Sequence, residues 1–480
     1  MAIFDYASLI CVWGTTIDMT TRITPLFRLA LLVTVTVLTF TSHASTDSTP
    51  PTPVDAPPNF VFILADDQAW NGLSVAMGKG DDSSKSKAFH TPNIEALAAS
   101  GMIFSWAYTA HPKCECSRAS ILMGRTTTSL NAPTKASTNW SAPATESLAN
   151  SLKRCNPAYR VAHFGKWQWP QTPASMGYDI SDGITQNETG DSSDASDPKL
   201  LFSMTKRACE FVSQAAKESH PFYLQLSYYA VHPKAQALAE TLKKYEVMPA
   251  SGRGPTGDRA VMAAMTEDLD TCVGTLVKQL QTLGIANNTY IIYMSDNGGR
   301  TGVLSGGKGN LGEGGLRVPL IVAGPGVRAD TYCKVPVISY DILATVLDLA
   351  APKCAPAKGI EGGSWRGLLK DGDQGTITRS IDRFVWHQPV ELDHPQSAIR
   401  KGDYKLLYEW DTHNVQLFNL ALDRGEKHDV SKENPELTAK LQSELIAHVR
   451  AGLGDKAIAE LESGVKKENR KGRPPRPRNS

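Results

Sequence analysis

From Asn59 onward, short apolar runs alternate with longer stretches in which apolar residues recur every three or four positions. The short runs predict buried strands, and the longer stretches, of which residues 259–284 are the clearest, predict helices. This alternation is typical of an α/β fold in which a large mixed, mostly parallel sheet is sandwiched by helices. The predicted strands lie in NFVFILADD from Asn59, YRVAHFGKW from Tyr159, PFYLQLSYYAVH from Pro221, TYIIYMSDNGG from Thr289 and LRVPLIVAGPG from Leu316.

After residue 375 the pattern changes to shorter predicted strands, RFVWHQP and YKLLYEW, followed by the amphipathic segment ENPELTAKLQSELIAHVRAGL. The change predicts a main domain over residues 58–375 and a smaller C-terminal α+β domain over residues 376–460. Residues 461–480 are basic and rich in proline, which is typical of a solvated, disordered tail. The alternative for this tail is a role in binding polyanions.

The N-terminus indicates export. Basic residues precede an apolar run over residues 29–40, and small residues follow it, which is typical of a signal peptide spanning residues 1–44. A start at Met19 is an alternative, because it gives a signal peptide of ordinary length. Residues 45–57 are predicted to form a disordered linker. Because the apolar run is short, we expect no stable membrane span and an exported protein, periplasmic or extracellular; an uncleaved anchor is the alternative.

The charge balance argues against a nucleic-acid partner. Lys and Arg together number 50 and Asp and Glu together number 49, so the formal net charge is +1. No overall positive field is therefore present to attract a phosphate backbone.

Removal of the signal peptide leaves seven of the eight cysteines. An odd number in an exported protein leaves at least one cysteine unpaired or modified. Cys333 and Cys354 flank the helix-like segment VISYDILATVLDLAA and are candidates to pair in an oxidising compartment, although the sequence leaves the connectivity open.

Acidic and amide side chains follow two of the predicted strands. Asp66 and Asp67 come after FVFILA, and Asp296 and Asn297 come after YIIYM. In open α/β sheets ligands bind beyond the carboxyl ends of the strands, and an all-oxygen set of Asp and Asn suits Ca²⁺ or Mg²⁺. For either pair alone, ordinary turn chemistry is the competing explanation.

Three further residues are candidates for binding an anion or moving a proton. Lys308 lies in the glycine-rich segment SGGKGNLGEGG, Lys166 ends the strand-like HFGK, and His232 follows LSYYAV. Taken singly, each has an ordinary explanation: a flexible loop, a solvated charge and a core histidine.

The segment CECSRASILMGR resembles the signature C-x-P-S-R-x-x-x-L-x-G-R of the type I sulfatases, a family of the alkaline phosphatase-like superfamily. The resemblance extends over roughly residues 58–450, through PNFVFILADD, TPNIEALAASGMIF, GKW, SDNGG, GGKGNLGEGGLRVPLIVAGPG, AIRKGDYKLLYEW and QLFNLALDRGEKHDV. The matching positions of the signature are Cys114, Ser117, Arg118, Leu122, Gly124 and Arg125.

The resemblance implies a role for each candidate residue. Cys114 would be converted to formylglycine by a formylglycine-generating enzyme, and Arg118 would orient the hydrated aldehyde. Lys166 and Lys308 would hold sulfate oxygens, and His232 would assist departure of the alcohol. The implied ligands of Ca²⁺ are Asp66, Asp67, Asp296, Asn297 and the modified Cys114.

The implied activity is hydrolysis of sulfate esters, by analogy those of a sulfated carbohydrate, with the formylglycine hydrate as the nucleophile at sulfur. Gln168 and His387 are predicted to contact the substrate, and Arg400 is predicted to lie in the same cleft.

Two positions depart from the family pattern. Cys116 stands where the signature has proline, and Gln168 stands where the family commonly has a histidine after GKW. Glutamine cannot take up a proton at neutral pH, so His111 or His163 is the candidate replacement base. Two alternatives to a sulfatase stay open: a phosphodiesterase or phosphonate hydrolase on the same scaffold, and a catalytically degenerate protein that binds sulfated glycans.

Overall fold

The computed structural model of the 480-residue chain describes residues 56–130, 143–245, 258–300, 302–355, 357–389 and 394–463. The predicted signal peptide, nearly all of the linker and the tail beyond residue 463 lie outside these residues. Within the described part, no helix is both long and apolar enough to cross a bilayer. The strands are β1 Asn59–Ala65, β2 Met102–Phe104, β3 Ala107–Tyr108, β4 Arg160–Gly165, β5 Ile180–Ser181, β6 Phe222–Ser227, β7 Thr289–Ser295, β8 Leu320–Ala323, β9 Thr331–Cys333, β10 Val337–Ile338, β11 Phe384–Gln388, β12 Gln396–Lys401, β13 Tyr404–Glu409 and β14 Val415–Asn419.

The main sheet has eight strands among the described residues, in the order β5-β4-β6-β1-β7-β8-β2-β9. Strand β1 is parallel to both of its neighbours, β6 and β7, and β4 is parallel to β5 and β6. Strand β8 runs antiparallel to its neighbours β7 and β2. The strands β3 and β10 pair separately. The prediction of a large mixed, mostly parallel sheet is confirmed.

The central strand β1 shows why helices cover both faces of this sheet. Its residues 60, 62 and 64 pack into one apolar cluster and residues 61, 63 and 65 into a second, because side chains alternate between the faces of a strand. Helices α2, α3, α8 and α9 contribute to the first cluster, and α1, α4 and α6 to the second. The helices are α1 Pro92–Ala99, α2 Cys114–Met123, α3 Leu148–Cys155, α4 Leu201–Lys217, α5 Ala239–Tyr245, α6 Asp258–Thr282, α7 Glu313–Leu316, α8 Asp341–Ala350, α9 Arg366–Asp371, α10 Pro435–Leu453 and α11 Asp455–Glu462.

The C-terminal part has its own antiparallel sheet, β11-β12-β13-β14, as the sequence predicts. Helices α10 and α11 pack on it through a separate apolar cluster that includes Leu406, Trp410 and Leu445. The second of these helices ends at Glu462 and so crosses the predicted boundary at residue 460. A further cluster, with Tyr108 of β3 and Trp386 of the small sheet, forms the joint between the main part and the C-terminal part.

The disulfide bond differs from the candidate pairing. Cys354 pairs with Cys155 at the end of α3, with 5.6 Å between their Cα atoms. The candidate partner Cys333 lies in β9 with its side chain in the apolar core of the main sheet, and it forms no disulfide among the described residues. Helices α3 and α8 pack against each other, and this packing brings the two bonded cysteines together.

Candidate active site

Two neighbouring strands bring the predicted acidic residues together. In β1 and β7, which are parallel and adjacent, Ala65 lies opposite Ser295, so the residues that follow them leave the sheet at the same edge. The backbone N–H of Asp67 donates to Asp296 Oδ1 at 3.2 Å, and Asn297 Nδ2 donates to Asp67 Oδ1 at 2.8 Å. The structure thus places all four residues, Asp66 included, in one buried group.

Cys114 is the first residue of α2 and faces this group. Its Sγ lies 3.4 Å from Asp66 Oδ1, 3.7 Å from Asp67 Oδ1 and 3.1 Å from Lys308 Nζ. Burial and the nearby carboxylates, Asp296 foremost, raise the pKa of the thiol well above its usual value. The helix N-terminus offers partial positive charge here, and it favours an anion at this position.

Arg118 lies one helical turn after Cys114 and therefore on the same face of α2. Its guanidinium contacts Asp296 Oδ2 through Nη2 at 2.7 Å and Nε at 2.9 Å, and Nη1 donates to the carbonyl of Lys166 at 2.8 Å. Burial lowers the pKa of Arg118, but Asp296 and Asp66 outweigh it and the net pKa is raised. This salt bridge therefore joins the first half of α2 to the residue that follows β7.

Lys166 is positioned by the sharp exit of the chain from β4. Gly165 has φ of +96°, and a Cβ there would lie 2.1 Å from the carbonyl oxygen of Ser227, so only glycine fits. The backbone N–H of Lys166 donates to that same carbonyl at 2.9 Å, and its Nζ pairs with Asp66 Oδ2 at 2.5 Å. Burial lowers the pKa of Lys166, but Asp66 and Cys114 raise it above its usual value, so the buried lysine stays charged.

Lys308 reaches the same group from the glycine-rich loop. Its backbone N–H donates to the carbonyl of Gly299 at 2.9 Å, and the next N–H donates to the carbonyl of Pro112 at 2.8 Å. Its Nζ pairs with Asp67 Oδ1 at 2.5 Å. Burial opposes the charge, but Cys114 and Asp67 raise the pKa of Lys308 above its usual value.

His232 lies beside the acidic group in a half-buried position. Two backbone hydrogen bonds join the preceding residues to Asp66. The N–H of Val231 donates to the carbonyl of Asp66 at 2.7 Å, and the N–H of Asp66 donates to the carbonyl of Ala230 at 2.8 Å. Burial lowers the pKa of His232, Asp66 raises it and Lys166 lowers it, and the net pKa is below its usual value.

Four other candidates contact residues outside the acidic group. Gln168 Nε2 donates to Asn187 Oδ1 at 3.1 Å. His163 is buried against Trp167 and Tyr178, and burial, with Arg118, lowers its pKa to about 3. The remaining two, His387 and Arg400, are only 1% and 3% exposed.

The joint between the two sheets encloses His387 and Arg400. His387 Nδ1 hydrogen-bonds Ser397 Oγ at 2.7 Å, and its carbonyl accepts from His111 Nε2 at 3.1 Å. The guanidinium of Arg400 stacks on Trp106, 4.5 Å from the ring centre, and on Tyr108.

The oxygen set of the site fits a divalent cation. Ligand atoms of Asp66, Asp67, Asp296 and Cys114 lie within 4.8 Å of one another. Two buried oxygens, Asp67 Oδ2 and Asn297 Oδ1, have no hydrogen-bond donor among the described residues. Two oxygens of this kind beside a group of carboxylates are the hard ligands that suit Ca²⁺.

Thr109 supports the site and was missed by the sequence analysis. Its Oγ1 shares a 2.6 Å hydrogen bond with Ser117 Oγ and donates to the carbonyl of Asp296 at 2.5 Å, so it ties α2 to the end of β7. Ser117 belongs to the matched signature and was therefore detectable, whereas no pattern in the sequence singles out Thr109.

The fold and the site together define a hydrolase of the alkaline phosphatase-like superfamily. A family model described as Sulfatase matches residues 58–352, more than half of the chain. The chain therefore belongs to the sulfatase family, and it is a sulfuric ester hydrolase.

Individual relatives agree with this assignment. A sulfatase of Formosa agariphila is 27% identical over 81% of this chain and 88% of its own length. The N-acetylgalactosamine-6-sulfatase of Mus musculus is 29% identical over 76% of this chain and 75% of its own length. Among solved structures, Ps i-CgsB in complex with k-i-k-neocarrahexaose has a TM-score of 0.70 and 26% identity, covering 83% of this chain and 94% of that one.

Proposed function

We propose that this protein is an exported sulfatase that hydrolyses sulfate esters of a sulfated carbohydrate, with Cys114 converted to formylglycine and calcium held beside it. The observation that carries the proposal is the position of Cys114 at the N-terminus of α2, with Lys308 Nζ 3.1 Å and Asp66 Oδ1 3.4 Å from its Sγ.

The proposed calcium ligands are Asp66, Asp67, Asp296, Asn297 and the oxygen that replaces Cys114 Sγ. The unpartnered Asp67 Oδ2 and Asn297 Oδ1 support this set. When bound, calcium and formylglycine would together supply a hydrated aldehyde whose hydroxyl is a strong nucleophile at neutral pH.

The two lysines are proposed to hold the sulfate group. Both ammonium groups are kept charged by neighbouring carboxylates, and Lys308 already lies within 3.1 Å of the reacting position. Positioned charges of this kind stabilise negative charge that develops on transferred oxygens. Arg118 is proposed to fix Asp296 and to keep α2 in register with β7, through its two contacts with Asp296 Oδ2.

His232 is proposed to give a proton to the departing alcohol. Its half-buried position at the edge of the site suits a group that must meet the ester oxygen of an incoming substrate. In the resting protein its lowered pKa favours the neutral ring, and the negative charge of a bound sulfate would favour the protonated form.

The carbohydrate substrate and the export are proposed on separate grounds. The mouse relative is named for a sulfated N-acetylgalactosamine, and the Ps i-CgsB structure contains a carrahexaose, which supports a glycan as the substrate class. The N-terminal pattern of residues 1–44 and the disulfide between Cys155 and Cys354 both support an oxidising compartment outside the cytoplasm.

The test combines modification and turnover. Protein produced with its formylglycine-generating enzyme is digested, and the peptide containing residue 114 is examined by mass spectrometry while sulfate release from a panel of sulfated oligosaccharides is measured. We expect an aldehyde at residue 114 and calcium-dependent release of sulfate. An intact thiol together with glycan binding would instead indicate the degenerate glycan-binding protein, and faster cleavage of phosphodiesters or phosphonates would indicate the related hydrolase.

A further inference from the structure

One carboxylate of the C-terminal domain contacts both ends of the loop that carries Lys308. We call residues 305–313 the Lys308 loop. Glu426 Oε2 accepts a hydrogen bond from Ser305 Oγ at one end of the loop and another, at 2.7 Å, from the backbone N–H of Glu313 at the other. Its Oε1 pairs with Lys405 Nζ at 2.8 Å, and that lysine also binds Glu313 Oε1 at 3.1 Å.

The backbone at Glu426 is held in an unfavourable conformation. Its φ is +52°, in the left-handed region that favours glycine, although the residue is a glutamate. Its side chain is only 3% exposed. A non-glycine residue persists in such a conformation when surrounding contacts hold it there, and such positions cluster at functional sites.

The turn that carries Glu426 also contacts the segment after β1, through Arg424. Arg424 pairs with Asp81, donates to Ser83 Oγ at 2.8 Å and stacks on Trp70, 4.8 Å from the ring centre. Trp70 lies in the segment that follows Asp66 and Asp67. The turn therefore contacts two of the segments that supply charged groups to the site, the one after β1 and the Lys308 loop.

The position of Lys308 depends on the position of the two ends of the Lys308 loop. The N–H of Gly314 donates to the carbonyl of Ser305 at 2.7 Å, which closes the loop into a narrow ring. A Cβ at Gly315 would lie 2.0 Å from the carbonyl oxygen of Asn310 and 2.5 Å from that of Gly307, so the ring is tightly packed. A displacement of the ends must therefore shift Lys308, whose Nζ has to stay near Cys114.

We infer that Glu426 is a positioning residue for the active site: its carboxylate fixes both ends of the Lys308 loop and thereby sets Lys308 against the sulfate. The inference rests on the proposed role of Lys308 in binding sulfate. It makes the C-terminal domain a contributor to the geometry of the active site.

The test uses Glu426→Gly, because glycine suits the left-handed backbone and removes only the side chain. The matched control is His413→Gly, a second left-handed position of the same domain, φ +57°, whose ring hydrogen-bonds Tyr408. Glu426→Gln, which keeps an oxygen acceptor, is the conservative variant. We expect Glu426→Gly to lower kcat/KM for a sulfate ester about 10- to 100-fold. We expect Glu426→Gln to restore most of this loss and His413→Gly to leave kcat/KM within about twofold of the parent enzyme.

Two further readouts separate positioning from general destabilisation. Hydrogen exchange of the peptide covering residues 305–313 should rise in Glu426→Gly and not in His413→Gly. Once Lys308→Ala is present, adding Glu426→Gly should cost little more activity, because residues that act through one another are not additive. Equal activity of Glu426→Gly and His413→Gly, or unchanged exchange in residues 305–313, would overturn the inference. Absence of sulfatase activity in the unaltered enzyme would instead overturn the proposed function, and hydrogen exchange would still test the contact.

Discussion

Two buried clusters of charged residues in this protein differ in how completely their acceptor oxygens are paired with donors or cations. The active-site cluster contains the carboxylates at the ends of β1 and β7, with Cys114 and the cations around it. The joint cluster lies between the two sheets and contains Glu313, Glu426, Lys405, Arg317 and Arg400. In the joint cluster each carboxylate oxygen has a donor or a cation: Tyr108 OH donates to Glu313 Oε2 at 2.7 Å, and Lys405 Nζ reaches one oxygen of each glutamate.

By the same standard, in the active-site cluster Asn297 Oδ1 has neither a donor nor a cation among the described residues, and Asp67 Oδ2 has only the exposed Arg300, whose Nε lies 3.8 Å away. In the joint cluster, burial raises the pKa of Glu313, but Lys405 and Arg317 outweigh it and hold the pKa below its usual value. A closed cluster of this kind maintains structure, whereas unsatisfied acceptors indicate a place for a ligand. The comparison teaches that acceptor oxygens without a close donor or cation, and not the amount of buried charge, mark the reactive site.

The sharpest way to test the comparison is to remove the reacting atom. Cys114→Ala should lower sulfate ester hydrolysis by roughly 10⁴-fold or more, because the nucleophile is lost, and should retain the fold. Cys116→Ala, which places at the third signature position a residue that the family also uses, should retain activity. Substantial turnover by Cys114→Ala in a sulfate-release assay would show that the reaction does not depend on this residue.

The joint cluster should respond in the opposite way. Lys405→Met would leave Glu313 and Glu426 buried without their shared cation, and removal of one partner from a buried ion pair costs about 3–5 kcal/mol. Urea denaturation should therefore show a large fall in the free energy of unfolding. Lys401→Met, at the more exposed pair with Glu444, should change it by less than about 1 kcal/mol. Equal effects of the two substitutions would contradict the structural role of the joint cluster.

Calcium should stabilise the protein through the active-site cluster alone. Chelation should lower the melting temperature of the unaltered enzyme, since a ligand at 100 times its Kd contributes about 2.7 kcal/mol. Asn297→Ala should weaken this response without leaving a buried charge, whereas Asp296→Ala would also strand Arg118. Lys405→Met should keep the full calcium response. A melting temperature that is insensitive to both chelation and added calcium would remove the metal assignment.

The smallest predicted effect concerns Gln168. If the missing histidine normally takes the proton whose loss releases sulfate, a chromogenic ester should give a burst of alcohol followed by slow turnover. Gln168→His should then raise the turnover rate by up to about 100-fold. His111→Ala is the comparison variant. A single linear phase that is unchanged by Gln168→His and abolished by His111→Ala would show that another histidine serves as the base.

The sheet and the acidic group were predictable because both follow from local pattern. Apolar runs such as those of β1 and β7 specify buried strands, and parallel neighbours place their carboxyl ends, with Asp66 and Asp296, at one edge. The resemblance of CECSRASILMGR then supplied the roles. The antiparallel direction of β8 was not predictable, because strand direction depends on the path of the connecting chain.

Contacts across long separations were the least accessible. Cys333 and Cys354 are close in sequence, but the pairing is decided by the packing of α3 on α8. His387 meets Trp410 edge to face and Arg400 stacks on Trp106, and neither long-range contact is indicated by the sequence around these residues. Glu426 contacts a backbone N–H that lies 113 residues earlier in the chain, which no local pattern indicates.

The disulfide between Cys155 and Cys354 separates the active-site residues into two groups, those inside the disulfide-closed segment and those before it in the chain. It closes a covalent ring with a sequence separation of 199 residues, which in chain-entropy terms disfavours the unfolded state by about 5 kcal/mol. Lys166, His232, Asp296 and Lys308 belong to the ring, whereas Asp66, Asp67, Cys114 and Arg118 precede it. Strand β1, which carries the earlier group, inserts between β6 and β7, and both of those strands belong to the ring. The active site therefore needs the earlier segment to pair with strands of the ring, so it depends on contacts between parts of the chain that lie inside and outside the disulfide.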